Sequence, residues 1–241
     1  MDEKIAQIKE IIDNSDNIVF FGGAGVSTES NIPDFRSVDG LYNMRYKHSP
    51  EVILSHTFFK QNPDSFYDFY RDKMLYPKAL PNKTHLALAK LEEMGKLKAV
   101  VTQNIDGLHQ KAGSKNVYEL HGSVYRNYCE SCGKFYDLDY MIKGTGIARC
   151  ECGGIIKPDV VLYDESLDLQ ILKGAIKSIM AADVLIIGGT SLAVFPAAGL
   201  IDYYQGDKLI LINKEETAQD GRANIVVHDS LGTVFSQVVD V

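Results

Sequence analysis

The four cysteines of the chain lie in one short segment, as Cys129-x-x-Cys132 and, seventeen residues later, Cys150-x-Cys152. Four thiolates on two short turns match the tetrahedral ligand set of zinc. Two disulfides, which a cytosolic chain disfavours, and a redox pair are the competing interpretations. Since four thiolates leave no position open for water, we expect a structural metal. The second pair is separated by one residue instead of two, so its two sulfurs reach the metal from a shorter turn. Gly153-Gly154 can supply the backbone freedom that this turn needs.

A polar tract, Gln103-Asn104-Ile105-Asp106, follows the apolar run 97–101, which is typical of a buried strand. Leaving any of these three polar side chains buried and unpaired would cost about 1–3 kcal/mol. They can satisfy one another, or they can bind a sugar and a carboxamide. The residues alone leave both interpretations open.

His121 follows a short predicted strand, 117–120, and precedes a glycine. A lone histidine is more often a satisfied core residue than a base. At the carboxyl end of a strand, however, a neutral imidazole can take a proton from a sugar hydroxyl near pH 7. We therefore take His121 as a candidate general base and the other five histidines as structural.

A glycine turn, Gly22-Gly23-Ala24-Gly25, interrupts the apolar run 18–21. The residues 26–30 that follow can open a helix with Ser27 as its N-cap. A strand, a glycine turn and a helix start together direct N–H groups and a positive dipole end towards an anion such as phosphate. A tight turn with no ligand is the alternative. Thr28 replaces the last glycine of the usual dinucleotide fingerprint, so this is a variant nucleotide loop or none.

The elements that must position these residues alternate between strands and helices. Such alternation predicts an α/β fold with a Rossmann-like parallel sheet covered by helices on both faces. Ligands of such folds bind beyond the carboxyl ends of the strands, where every polar or glycine cluster falls. We expect strands at 18–21, 97–101, 117–120, 183–187, 209–212 and 225–227, and helices at 2–14, 82–94, 171–180, 196–204 and 234–239.

A smaller domain is predicted from two insertions into this pattern. The aromatic-rich stretch 37–80 indicates a module of two or three short helices packed beside the sheet, with most of its aromatic residues in a core, and 126–156 carries the zinc ribbon. The remaining parts, 1–36, 81–125 and 157–241, form the predicted Rossmann-like domain.

Composition limits the classes of partner. A length of 241 residues with 45% hydrophobic content suits one sizeable domain with an insertion or two small ones. The N-terminus is charged and lacks a signal-peptide core, and no apolar run is long enough to span a membrane, so we expect a cytoplasmic protein without membrane contact. A net charge of −7 with no long basic block argues against direct nucleic-acid binding.

The loop and the polar tract resemble the signature of the sirtuin family. The stretch 23–36 is similar to G-A-G-x-S-x-x-S-G-I-P-x-F-R, with Asn31 in place of the family glycine. Asparagine is the non-glycine residue that best tolerates left-handed backbone, so we expect the same turn. Residues 102–106 match T-Q-N-I-D throughout, and His121 lies within E-L-H-G-S.

Two further segments carry the same resemblance. The stretch 157–165 is similar to R-P-x-V-V-x-F-G-E, with Asp164 in place of the family glycine. The cysteines are placed as in the sirtuin zinc module, although many members carry C-x-x-C twice.

The resemblance implies an NAD-dependent protein deacylase, with NAD as co-substrate and one structural zinc per chain. An acyl-lysine oxygen would attack the nicotinamide ribose, nicotinamide would leave, and the acyl group would pass to ADP-ribose. His121 would be the general base on a ribose hydroxyl, Asn104 would order the ribose and its water, and Arg36 would bind phosphate. The implied NAD contacts are Gly23, Ala24, Gly25, Thr28, Phe35, Arg36, Gln103, Asn104, Ile105, Asp106, His121, Gly189, Thr190, Ser191, Asn213, Lys214 and Ser230.

The resemblance implies that acylated-lysine proteins or peptides are the substrates. We expect the enzyme to be a monomer. Val161 and Tyr163 would wall the lysine tunnel, beside a peptide that adds as an extended strand. Sirtuins that favour charged acyl groups use Tyr-x-x-Arg, whereas here Tyr70 follows Tyr67 at that spacing and Arg71 stands one position further on. Acetyl or longer neutral acyl groups are therefore favoured.

Two other classes of function stay open. A mono-ADP-ribosyltransferase would use the same NAD site with a different acceptor. A zinc-ribbon interaction module with a degenerate nucleotide pocket would release no nicotinamide, and the complete polar tract argues against it.

Overall fold

A six-stranded parallel sheet forms the centre of the larger lobe in a computed structural model that describes residues 3–35, 40 and 48–240. The strand order is β3-β2-β1-β7-β8-β9. All five pairings are parallel, which confirms the predicted sheet. Its strands are β1 (Ile18–Gly22), β2 (Leu97–Thr102), β3 (Val117–Glu119), β7 (Val184–Gly188), β8 (Leu209–Ile212) and β9 (Ile225–Val227).

Successive side chains of each strand enter two different cores, because side chains alternate across a sheet. Ile18 and Phe20 pack against α1 (Glu3–Asp13), α5 (Lys83–Glu93) and α9 (Leu231–Val238). Val19 and Phe21 pack on the opposite face against α8 (Leu169–Ala181) and a 3-10 segment, Ala197–Tyr203. Each buried side chain of this size contributes roughly 1.5–3 kcal/mol to folding. Helices therefore cover both faces, as predicted.

A second lobe shares one core between short helices and a small antiparallel sheet. The predicted helical module contains three helices in its described part, and its aromatic side chains, including Phe59, Tyr67 and Tyr70, are buried in that core as expected. These three helices are α2 (Pro50–Ile53), α3 (His56–Gln61) and α4 (Pro63–Lys73), and the cysteine segment adds α7 (Leu138–Lys143). The remaining helix, α6 (Leu108–Ala112), follows β2 in the larger lobe. The sheet has the order β5-β4-β6, with β4 (Gly122–Cys129), β5 (Phe135–Tyr136) and β6 (Ile156–Val160).

Two predicted helices take a tighter form. The residues after the glycine turn make two short 3-10 turns, Ala24–Val26 and Thr28–Ser30, and the Ser27 hydroxyl does not cap either of them. The predicted helix 196–204 is the 3-10 segment named above. Asn31, at φ 60°, has the expected left-handed backbone. The limits of the two domains stay a prediction.

The sheet has a topological switch beside β1. The chain runs from β1 outwards through β2 to β3, and it returns to the other side of β1 as β7. Loops that leave the carboxyl ends of β1 and β7 therefore diverge, which opens a crevice where ligands of such folds bind. Among the described residues, no helix has both the length and the apolar character needed to cross a membrane.

Candidate active site

The two glycine loops at the switch point touch through their main chains. The N–H of Gly25 donates to the C=O of Gly189 at 2.8 Å. A Cβ on Gly25 would lie 2.8 Å from Cα of Gly189, and one on Gly189 would lie 2.5 Å from N of Val26. No side chain fits at either position. The loops leave an edge lined by main chain, and Gly23, Ala24, Thr190 and Ser191 lie along it.

Ser27 connects the first loop to the polar tract after β2. Its hydroxyl donates to Oδ2 of Asp106 at 2.6 Å and accepts from Nδ2 of Asn104 at 3.1 Å. The other carboxylate oxygen of Asp106 accepts the N–H of Leu108 at 2.9 Å. Asn104 is only 9% exposed. The sequence predicted Ser27 as a helix cap, and the structure gives it this contact instead.

Asp106 is a buried carboxylate with hydrogen-bond donors on both oxygens. The pKa of Asp106 is raised by burial, and the bonds from Ser27 and the N–H of Leu108 offset this rise only in part. Such donors stabilise the ionised form, and the carboxylate can accept a further bond from an amide group of a ligand.

Gln103 supplies an unpaired donor at the same edge. Its main-chain N–H bonds to the C=O of Gly22 at 2.9 Å, which fixes the start of the tract against β1. Its side-chain nitrogen is buried and has no partner among the described residues. A buried amide that is left unpaired costs free energy, so this nitrogen is suited to an oxygen of a ligand. A ribose hydroxyl or a phosphate oxygen of NAD fits that requirement.

His121 leaves β3 towards the same crevice. Its Nδ1 lies 2.9 Å from the C=O of Gln103. Because a carbonyl oxygen only accepts, Nδ1 carries the proton and Nε2 is the unprotonated nitrogen of the neutral ring. Burial lowers the pKa of His121, and the Gln103 carbonyl raises it less. The imidazole is therefore neutral near pH 7 and can accept a proton.

The predicted substrate residues lie beside His121. The N–H of Val161 donates to the C=O of His121 at 3.0 Å, so the segment after β6 runs past the candidate base. Tyr163 is 37% exposed two residues further on. Ile105 and Phe35 are partly buried against the core of the second lobe. Arg36 lies outside the described residues.

The residues predicted for the adenosine end follow β8 and β9. The N–H of Asn213 bonds to the C=O of Val227, and that of Gly189 bonds to the C=O of Ile212, so these strand ends adjoin the second glycine loop. Lys214 follows Asn213 directly. Ser230 caps α9 by accepting the N–H of Thr233 at 3.3 Å.

Thr28, in the first loop, donates its hydroxyl to the C=O of Gly25 at 3.1 Å.

The four cysteines meet in one cluster in the second lobe, where they are positioned to bind a structural zinc. Their sulfurs all lie within 4.8 Å of one another, and the nearest pairs are 3.5 Å apart. A tetrahedral zinc with Zn–S bonds of about 2.3 Å separates its sulfurs by about 3.8 Å, so the set fits. All four thiols are free, which contradicts the disulfide alternative. The predicted backbone freedom is used at Gly153, which has a left-handed φ of 85°. Gly154 is needed for space, because a Cβ there would lie 2.8 Å from Sγ of Cys129.

Tyr136 is a neighbour of the cysteine cluster that the sequence did not indicate. Its hydroxyl donates to Sγ of Cys150 at 3.1 Å. This bond lowers the pKa of the Cys150 thiol, as does the N–H of Cys152. Since a metal ligand must be deprotonated, the contact favours the form of Cys150 that binds zinc.

Comparison with known proteins places the chain among relatives that align with nearly all of it. Residues 23–196 match the model of the Sir2 family. A protein from Clostridium perfringens named NAD-dependent protein deacetylase is 60% identical over 244 residues, which cover 100% of both chains.

Solved structures agree. One, described as "Structural Basis for the Mechanism and Regulation of Sir2 Enzymes", has a TM-score of 0.90 and 40% identity, covering 100% of this chain and 98% of its own. Another, described as "Sir2-p53 peptide-NAD+", has a TM-score of 0.86 and 36% identity over 97% of this chain and 96% of its own. On the family match and on relatives of this identity and coverage, the chain belongs to the Sir2 family.

Proposed function

We propose that this chain is an NAD-dependent protein-lysine deacetylase that transfers the acyl group of lysine to ADP-ribose and releases nicotinamide. The observation that carries the proposal is the convergence on one sheet edge of two glycine loops, the Ser27–Asp106–Asn104 contacts and the His121 imidazole. The deacetylase relatives and the peptide–NAD complex support it.

NAD supplies an activated ribose whose bond to nicotinamide can be broken. The chain's part is to orient that bond and to exclude water from it. The two glycine loops, with Thr28, Arg36 and Ser191, would hold the pyrophosphate, because main-chain N–H groups at such a turn bind anions. Asn213, Lys214 and Ser230 would contact the adenosine end.

The nicotinamide end would be held by the second group of contacts. The Asp106 carboxylate accepts from the amide group of nicotinamide, and Ile105 packs beside it. Phe35 covers the face that nicotinamide leaves. Gln103 and Asn104 donate to the ribose and its water, which uses the unpaired nitrogen of Gln103.

His121 would move the proton. Its neutral ring takes a proton from a ribose hydroxyl at Nε2, while the bond from Nδ1 to the C=O of Gln103 fixes the ring and its tautomer. The acyl oxygen of acetyl-lysine would by then have bonded to the ribose carbon that loses nicotinamide. The deprotonated hydroxyl attacks the acyl carbon of this imidate, and water then releases lysine and leaves the acyl group on ADP-ribose. Burial keeps the ring neutral at the working pH because it lowers the pKa of His121.

An acetyl-lysine peptide would bind beside Val161 and Tyr163. The motif's arginine position holds Tyr70, and the nearby side chains bond within the second lobe: Nε and Nη1 of Arg71 donate to the C=O groups of Met141 and Gly146, and the Tyr67 hydroxyl donates to that of Ile156. Both interactions lie within the second lobe, which favours neutral acyl groups. A preference for succinyl over acetyl peptides would contradict this part of the proposal.

Nicotinamide release from NAD, measured with and without an acetyl-lysine peptide, tests the function directly. We expect release to depend on the peptide and to be matched by equal amounts of deacetylated peptide and acyl-ADP-ribose. Protein that carries ADP-ribose while the peptide stays acetylated would indicate an ADP-ribosyltransferase instead. No release under either condition would reject the enzyme. A cytoplasmic monomer that does not bind nucleic acid stays a prediction.

A further inference from the structure

The segment that follows β6 is held at both ends by the main chain of the second lobe. Tyr163 donates its N–H to the C=O of Leu54 and accepts the N–H of His56, each at 2.9 Å. On the other side, the N–H of Val161 donates to the C=O of His121. These bonds fix Val161 and Tyr163, but they leave the N–H of Leu162, between them, to another acceptor.

The acceptor is the carboxylate of Glu165. Its Oε2 accepts the N–H of Leu162 at 2.8 Å and the ammonium of Lys157 at 3.0 Å. Its Oε1 lies 2.7 Å from Nδ1 of His56, at the start of α3. The N–H of Glu165 donates to the C=O of Leu162 at 3.0 Å, which closes the turn. One side chain thus joins β6, the turn and the helical module.

The charge of Glu165 is well stabilised in this position. Burial alone would raise the pKa of Glu165, but the bonds from Leu162 N–H and His56, together with Lys157, hold the pKa below its usual value. The side chains of Glu165 and Lys157 are only 20% and 19% exposed. Such charge-assisted bonds, sheltered from water, hold geometry better than surface ion pairs do.

We propose that Glu165 is a positioning residue for the acyl-lysine peptide. Its carboxylate holds 161–163 in the conformation in which Val161 and Tyr163 wall the proposed lysine tunnel, so that peptide binding does not have to order this segment. The inference rests on the proposed function, because it assigns a role on the peptide side of the same site. The Glu165 carboxylate bonds to His56, Lys157 and Leu162, and among the described residues it forms no hydrogen bond to the glycine loops or to His121.

The test compares Glu165→Ala and Glu165→Gln with the unaltered enzyme. Because hydrogen bonds to charged groups account for about a tenfold factor or more in an equilibrium constant, we expect Glu165→Ala to raise KM for an acetyl-lysine peptide about tenfold. KM for NAD and kcat should stay within about threefold. Glu165→Gln keeps one acceptor for Leu162 and should lie between. Lys157 keeps its bonds to the C=O groups of Val160 and Pro158, so neither variant strands a buried charge.

Glu92→Ala is the matched control. The Glu92 carboxylate also accepts two main-chain N–H groups, those of Lys115 and Asn116, each at 2.8 Å. These bonds lie ahead of β3, at the edge of the sheet opposite the site. If Glu165 only stabilised the fold, both variants would lower Tm and neither would change KM for the peptide selectively.

Amide hydrogen exchange at Leu162 gives a readout that does not depend on activity. We expect its protection to fall in Glu165→Ala and to be unchanged in Glu92→Ala. Unchanged protection, or equal rises in KM for peptide and for NAD, would overturn the positioning role. Unaltered enzyme that releases no nicotinamide with acetyl peptide would instead reject the proposed function, so the two failures are distinguishable.

Discussion

Replacing Ser27 by alanine removes the contact between the first glycine loop and the polar tract that we propose holds nicotinamide. The hydroxyl is 1% exposed, and it bonds both to the Asp106 carboxylate at 2.6 Å and to Nδ2 of Asn104 at 3.1 Å. In Ser27→Ala the Asp106 carboxylate and the Asn104 amide, both buried, lose the hydroxyl that they bond to. The main-chain bond from the N–H of Leu108 to Asp106 remains.

The size of the effect follows from the charged bond. A hydrogen bond to a charged group contributes about 1.5–3 kcal/mol, and each 1.36 kcal/mol is a factor of ten in rate. We therefore expect kcat/KM for nicotinamide exchange to fall roughly 10- to 150-fold. The pH dependence should change too. Since the Ser27 bond lowers the pKa of Asp106, its removal raises that pKa further, and exchange, which needs the carboxylate, is lost at a higher pH.

Incorporation of labelled nicotinamide into NAD, with an acetyl peptide present, measures the step that Asp106 serves across a range of pH. Ser15→Ala is the matched control, because the equally buried Ser15 donates to the Asp183 carboxylate at 2.6 Å at the amino ends of the strands. If kcat/KM for exchange in Ser27→Ala is within threefold of that of the unaltered enzyme, or if the acid limb of its pH profile does not move, the reasoning about Ser27 is refuted. An equal loss in both variants would attribute the effect to general stability.

Three other perturbations test separate parts of the molecule. His121→Ala should abolish deacetylation while the protein keeps its zinc. Since burial lowers the pKa of His121 below 6.5, the acid limb of the pH profile of deacetylation in the unaltered enzyme should lie below that pH. A variant whose rate is within a few-fold of the unaltered enzyme, or an acid limb above pH 6.5, would contradict the role of His121. Chelation should remove one zinc per chain and unfold 126–156 first, as followed by hydrogen exchange; fully active protein nearly free of zinc would end the idea. Asn31→Ala should lower the free energy of unfolding in urea by about 1 kcal/mol, because φ at this position is 60°, whereas Asn31→Gly should not; equal stabilities would show that the turn is unstrained.

Local patterns predicted the strands, the main helices and the edge at which the polar clusters gather. Apolar runs such as 184–188 are typical of strands buried on both faces, and each one ends in a turn residue. The position of β1 between β2 and β7 is not local information, because strand pairing joins segments far apart in sequence. For this reason the switch point, and with it the meeting of the glycine loops, appears only in the structure.

Ser27 shows why a local rule can fail at a site. A serine before a run of possible helix is a good N-cap candidate, and Ser27 does precede a 3-10 turn. Its hydroxyl instead bonds to Asp106, 79 residues away. Tyr136 escapes local prediction in the same way, since nothing near it in sequence distinguishes it from the other twelve tyrosines. Glu165 ends a recognisable motif, but the motif does not indicate that its carboxylate bonds to His56, 109 residues away. The cysteines were easier, because their spacing alone encodes a ligand set.

The main-chain contact between Gly25 and Gly189 constrains how this enzyme can evolve or be redesigned. A neighbouring rotamer cannot relieve a substitution at either position, because the obstacle is the opposing backbone. The two loops are therefore epistatic, and a bulkier residue in one is tolerated only if the other shifts with it. A variant that accepts an enlarged dinucleotide analogue has to change both loops together or begin at the proposed adenosine end, where Lys214 is exposed.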